Sequence, residues 1–256
     1  MVDPSSSTFE EAFALAILAF IAVTASVSIG SYRRRTTGAI DVGGSLVLGP
    51  GIRGWYLENL RPIEDLCVQW HVSPAALSCA QLVGSIVVAA CYARGMLFTG
   101  GWLLLLTGTL DIIDGRVARR INGSSLRGAF LDSIIDRYAD SFACLGLAAF
   151  FRDSWVLWAV LFAVLGGLIV SYTRARAEGL GADCRVGMLQ RPERYVILGF
   201  GTMFGALCER LTGPWVAGQH YSLVIFVIVA LAVLVNLTAI QRAVHVWRKL
   251  GETRHG

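Results

Sequence analysis

Long apolar runs without charge constrain this chain before any other feature does. Residues 12–30, 74–92, 154–172 and 221–240 contain no charged side chain. Each is close to the roughly 20 residues that a helix needs to cross a bilayer. Residues 96–110 are also uncharged but run straight into aspartates, and 130–151 are apolar except for one charged face. A further run, 195–207, is shorter and contains glycine. With 55% hydrophobic and 16% charged residues, the chain lacks the polar surface that a soluble domain of 256 residues needs. The expected fold is an all-α integral membrane protein. It comprises a six-helix transmembrane bundle over residues 74–250, preceded by an interfacial helix and one extra N-terminal transmembrane helix.

Basic residues orient these helices. Arg33, Arg34 and Arg35 follow the first run and place that end in the cytoplasm by the positive-inside rule. Threading alternately from there leaves only Arg94, Arg152 and Arg210, of 22 lysines and arginines, in outer segments. The N-terminus is then outside and the C-terminus inside. Glu10 and Glu11 precede the first run and the arginines follow it, which are the wrong flanks for a cleaved signal. Residues 1–35 therefore read as a retained anchor. Residues 36–73 combine a glycine-rich connector with a mixed aromatic and charged stretch. That mixture suits a helix in the interface plane, with Trp55, Tyr56 and Trp70 at headgroup level. A cytoplasmic helix packed on protein is the alternative. Ser73 and Pro74 suit a helix start. Residues 251–256 form a short tail. The six cysteines show no CxxC pair and no metal spacing with histidine, as expected of small buried hydrophobes.

The charges concentrate in "LDIIDGRVARRINGSSLRGAFLDSIIDRYAD", residues 110–140. Asp111 and Asp114 share one helical face, and Asp132 and Asp136 share another. Asn122 and Gly123 can end the first helix, and Ser124 or Ser125 can cap the next. The two helices are then antiparallel and bring four carboxylates to one end. Such a cluster needs positive charge. Arg116, Arg119 or Arg137 could supply it, and so could divalent metal, which takes carboxylate oxygens and leaves room for phosphate. Ionisable residues inside a membrane point to function, because burying them is costly. Gly115, Ala118 and Gly128 are small enough to open space for a ligand or to let helices approach. Asp140 continues the spacing and reads as a polar bystander.

The stretch resembles the signature of the CDP-alcohol phosphotransferase family, D-x2-D-G-x2-A-R-x8-G-x3-D-x3-D. Asp111, Asp114, Gly115, Ala118, Arg119, Gly128, Asp132 and Asp136 occupy its fixed positions. The resemblance spans about residues 52–250. It implies a membrane enzyme that moves a substituted phosphate from a CDP-linked donor, usually CDP-diacylglycerol, to an alcohol with release of CMP. It implies two Mg2+ or Mn2+ ions on Asp111, Asp114, Asp132 and Asp136, with Asp136 as general base. It also implies that Asp114, Gly115, Ala118, Arg119 and Gly128 shape the nucleotide site. A homodimer in the cytoplasmic (plasma) membrane, with its active site on the cytoplasmic side, follows from the same resemblance and threading. Nothing calls for nucleic acid.

A second cluster, "SYTRARAE" with "RPER" downstream, gathers Arg174, Arg176, Arg191 and Arg194, and Arg242 can join them. Guanidinium groups match phosphate oxygens and suit an anionic acceptor. A solvated basic rim is the alternative. The stretch is most similar to the phosphatidylinositol phosphate synthases, with arginine at position 174 where those have lysine. That resemblance implies acceptor contacts from Arg174, Arg194 and Arg242, with Ser171 and Arg176 nearby, and inositol phosphate as acceptor. Phosphatidylglycerophosphate synthesis, or another CDP-alcohol phosphatidyl transfer, is the nearest rival. More remote are an intramembrane prenyl transferase and a carboxylate-based membrane transporter.

Overall fold

The computed structural model describes residues 50–121, 125–184, 186–214, 216 and 219–252. Among these it has seven helices and, apart from one isolated bridge between Val216 and Gln219, no strand pairing. The expected anchor at 12–30, the arginines at 33–35 and the loop residues Asn122, Gly123 and Ser124 lie outside the described residues. So does Arg185.

The chain divides into two compact units, with the boundary between Gln69 and Trp70. The described part of the first is helix α1, Pro50–Gln69. It covers the mixed aromatic and charged stretch. Leu60 and Glu64 are buried, and Ile63 and Leu66 are exposed.

The second unit holds α2 (Pro74–Ala93), α3 (Leu97–Arg120), α4 (Leu126–Phe150), α5 (Val156–Gly179), α6 (Arg191–Thr212) and α7 (Ser222–Glu252). The sequence starts and stops them by ordinary means. Ser73 Oγ accepts from Ala76 N at 3.2 Å, with Pro74 in the first turn. Of the two serines that could cap α4, Ser125 does so, accepting from Gly128 N at 3.0 Å. Arg119 and Arg120 sit in the last turn of α3, where they complement its dipole. Helix α6 extends beyond the expected apolar run 195–207 at both ends. Its start is capped by Glu193, whose carboxylate accepts from Gln190 N at 2.7 Å.

Four helices, α2, α3, α5 and α7, are long and apolar enough to cross a membrane. Packing runs from α4 to α2, α3, α6, α7, α5 and back to α4. Consecutive helices α3 and α4 meet mainly through their aspartates rather than along their length, as a simple hairpin would. Helix α2 packs on both. Glycines let the backbones approach. A Cβ at Gly101 would lie 2.5 Å from Gly199 O, and one at Gly146 would lie 2.5 Å from Ala89 O. Buried polar side chains tie the helices further: Tyr92 and Thr202 hydroxyls are 2.9 Å apart.

The loops gather at opposite ends. At one, the Phe150 ring meets Phe151 and Tyr221 at 4.8 and 5.4 Å between centroids. Gly95 abuts Phe150 there too. Arg94 and Arg152 adjoin this cluster in the chain. The aspartates lie at the other end.

Candidate active site

Helix periodicity accounts for the first layer of the site. Asp111, Asp114, Gly115 and Ala118 fall on one face of α3, three and four residues apart. Asp132, Asp136 and Asp140 do the same on α4. One carboxylate oxygen from each of Asp111, Asp114 and Asp132 lies within 4.8 Å of the other two. Carboxylates from the two helices therefore do come together, three of the expected four in one mutually close set.

Helix α2 fixes this arrangement. Ser78 Oγ donates to Asp114 Oδ2 at 2.8 Å, and Gln81 Nε2 donates to Asp111 Oδ1 at 3.2 Å. Asp114 is only 4% exposed. Ser78, Gln81 and Ser85 form a polar stripe, three and four residues apart, along an uncharged helix. Their spacing was a readable sign that this face of α2 meets something polar.

A guanidinium that reaches the carboxylates comes from α6. Arg191 Nη1 lies 2.6 Å from Asp111 Oδ1 and 2.5 Å from Asp136 Oδ1. Its Nε is 3.0 Å from Asp140 Oδ1. Of the nearby arginines expected to supply charge, Arg137 bonds the carbonyl of Ser133 in its own helix. Arg119 is exposed.

Asp140 is not a bystander. Besides Arg191, it pairs through Oδ2 with Arg194 Nη2 at 3.1 Å. One half-buried carboxylate thus holds both arginines of "RPER". A charge one turn beyond a motif looks idle only until a partner from another helix meets it.

The carboxylates fit a hard divalent cation. Asp132 Oδ1 is buried and, among the described residues, has no hydrogen-bond donor. A shut-away carboxylate oxygen without a donor calls for positive charge. Carboxylate oxygens from three side chains are the donor set of Mg2+ or Mn2+. Next to them, the Gly115 position is open. A Cβ there would meet only Arg119 Nη1, at 3.6 Å. Ala118 is half-buried, and Gly128 is exposed beside its cap Ser125.

The expected acceptor residues separate into three settings. Ser171 and Arg194 line one cleft between α4, α5 and α6, together with Arg137, Asp140, Ser141 and Gly167. Arg194 Nε is buried there without a hydrogen-bond partner. Arg242 is buried and donates to Val186 O at 2.8 Å and Val170 O at 3.0 Å, one residue from Ser171. Gly187 makes room for it: φ is 135°, and a Cβ would lie 3.2 Å from Arg242 Nε. Arg174 and Arg176 are exposed, outside the cleft lining. Arg174 pairs with Glu178 at 2.9 Å. The cysteines are all unpaired, as expected, but only Cys184 is buried; Cys67, Cys91, Cys144 and Cys208 are half-buried and Cys79 is exposed.

The sequence model of CDP-alcohol phosphatidyltransferases matches residues 71–248. The chain belongs to this family. It is an integral-membrane transferase. Archaetidylinositol phosphate synthase of Methanothermobacter thermautotrophicus is 36% identical over 210 residues, covering 78% of this chain and 99% of that protein. Phosphatidylinositol phosphate synthase of Cutibacterium acnes is 34% identical over 149 residues, 56% of this chain and 72% of that one. Crystal structures of Mycobacterium tuberculosis phosphatidylinositol phosphate synthase share the fold. The complex with CDP-DAG has a TM-score of 0.63 at 27% identity, covering 73% of this chain and 92% of that one. The complex with manganese and citrate has a TM-score of 0.64 at 27% identity, covering 73% and 88%.

Proposed function

We infer that the protein transfers the phosphatidyl group of CDP-diacylglycerol to inositol phosphate, giving phosphatidylinositol phosphate and CMP. The observation that carries this reading is the adjacency of two sites through one side chain. Asp140 joins the carboxylate cluster, by Arg191, to the Arg194 cleft. A cluster suited to a diphosphate beside a guanidinium whose Nε is still unbonded, and so suited to a phosphate, is what transfer to a phosphorylated alcohol requires. The relatives agree. Their names share the inositol phosphate headgroup and differ in the lipid.

Asp111, Asp114, Asp132 and Asp136 would hold divalent ions, Mg2+ or Mn2+, which when bound neutralise the donor diphosphate. Asp136 takes the proton of the attacking hydroxyl. The oxygen bonds the phosphorus that carries the diacylglycerol. The bond from that phosphorus to the oxygen of CMP breaks, and CMP leaves with the electron pair. Gly115 and Ala118 keep the α3 face open to the nucleotide, with Arg119 and Gly128 at its edge. Arg194 binds the acceptor phosphate, and Ser171 lines the same cleft. Arg242 stiffens its wall, and Arg174 and Arg176 form a basic rim that draws the anion in.

The same reading gives all six helices α2 to α7 as membrane spans within a domain over 74–250. Residues 1–35 are an added anchor, and 36–73 are a linker and a helix at the interface. The site faces the cytoplasm, and the enzyme works as a homodimer. The gathering of the Arg94 and Arg152 loops at the far end supports that orientation.

The test is CMP release from labelled CDP-diacylglycerol, offered with inositol phosphate or glycerol 3-phosphate in turn. Turnover with inositol phosphate is expected. Turnover with glycerol 3-phosphate alone refutes the acceptor and moves the protein to phosphatidylglycerophosphate synthesis.

A further inference from the structure

Three of the four motif aspartates form one set in which each offers an oxygen within 4.8 Å of the other two. These are Asp111, Asp114 and Asp132, and Asp136 lies outside that set, across Arg191 from Asp111. What Asp136 faces instead is Arg191. A single nitrogen, Nη1, bridges Asp111 on α3 and Asp136 on α4 at 2.6 and 2.5 Å. On the Asp136 side this is a contact of charges without hydrogen-bond alignment, since Asp136 Oδ1 has no bonded donor. A cation can take over such a contact with little loss of geometry.

The rest of the guanidinium is tied down away from that nitrogen. Nε is held by Asp140 at 3.0 Å. Nη2 donates to the Asp136 carbonyl at 3.3 Å and to the Tyr195 hydroxyl at 3.4 Å. The group also lies 5.4 Å from the Tyr195 ring centre. These anchors let Arg191 surrender Asp111 and Asp136 without leaving the site.

We propose that Arg191 is a positioning residue that competes with a divalent ion for Asp111 and Asp136. The site then binds its two ions unequally, the second one against a resident positive charge. The proposal rests on the metal-dependent transferase reading above. It makes a prediction of opposite sign to the usual role of an outer-shell partner. A residue that orients metal ligands weakens metal binding when removed, typically by about 10–100-fold. A competing cation strengthens it when removed.

The experiment is Mn2+ titration of the full-length protein in detergent micelles, with free Mn2+ read by electron paramagnetic resonance. Wild type is expected to show two classes of sites about tenfold or more apart. Arg191→Gln should tighten the weaker class by ~10-fold or more, and Arg191→Lys, which keeps the charge, should stay near wild type. Weakening or no change in Arg191→Gln overturns the proposal and leaves the transferase reading standing. So does equal tightening in Arg191→Lys. A single class of sites in wild type also overturns it, even if Arg191→Gln does not fold. No Mn2+ binding at all sinks the metal reading together with the proposal.

Discussion

Replacing Asp140 by asparagine probes the joint between the two halves of the site. The substitution keeps the shape of the side chain and removes one charge. That charge now faces two guanidiniums, Arg191 Nε at 3.0 Å and Arg194 Nη2 at 3.1 Å. Breaking a fully buried ion pair costs about 3–5 kcal/mol, and an exposed one about 0–1. Here the three side chains are 12–21% exposed, so the cost falls nearer the buried limit. The amide oxygen of asparagine still accepts one bond, which lowers the loss to ~2–3 kcal/mol. If half or more of that is felt by the acceptor, kcat/KM for inositol phosphate should fall by roughly 10–100-fold. KM for CDP-diacylglycerol should move by less than about threefold, since Asp140 lies outside the metal-ligand set. The assay is CMP release with each substrate varied in turn, alongside thermal unfolding in detergent. Asp140→Glu should recover part of the loss. Acceptor kcat/KM within about threefold of wild type in a folded Asp140→Asn would refute the coupling. Equal losses for both substrates would reduce Asp140 to a structural residue.

Three further outcomes are expected. Asp136→Asn should abolish turnover while retaining the fold and binding of the CDP-lipid, checked by CMP release and by lipid retention on the purified protein. Near-normal turnover would remove Asp136 as the base. Arg194→Ala should raise the acceptor KM by ~10-fold or more and leave the donor KM nearly unchanged, because a charge-assisted contact to phosphate is worth about 1.5–3 kcal/mol. Gly101→Ala places a Cβ 2.5 Å from Gly199 O at the α3–α6 seam. It should lower stability by about 1–3 kcal/mol, read as a drop in Tm in detergent.

Much of this was legible in the chain. The uncharged run at 74–92 matches α2 almost end to end, and those at 154–172 and 221–240 form the greater part of α5 and α7, which continue into charged residues. The charged α4 and the start of α6 were harder, because charged site residues interrupt the apolar pattern of the first and precede that of the second. Glu193 and Arg191 precede the apolar run of α6, and capping and ion pairing make a helix start of them. The acceptor arginines were read as one set. The structure divides them, since Arg174 has a helical neighbour, Glu178, within reach and Arg194 does not.

Taken alone, the sequence determined the membrane class and the helical face of each aspartate, while the chemistry those carboxylates serve came from the resemblance of the motif to its family. The first two depend on composition and on the 3.6-residue period, which act over a few turns and need no knowledge of neighbours. Only the tertiary structure decided which charges meet. Arg191 stands 80 residues from Asp111 and 51 from Asp140, and Ser78 stands 36 from Asp114. Such pairs depend on glycine seams that set which helices touch and at what depth. A helix shifted by one turn would keep every local pattern and change every partner.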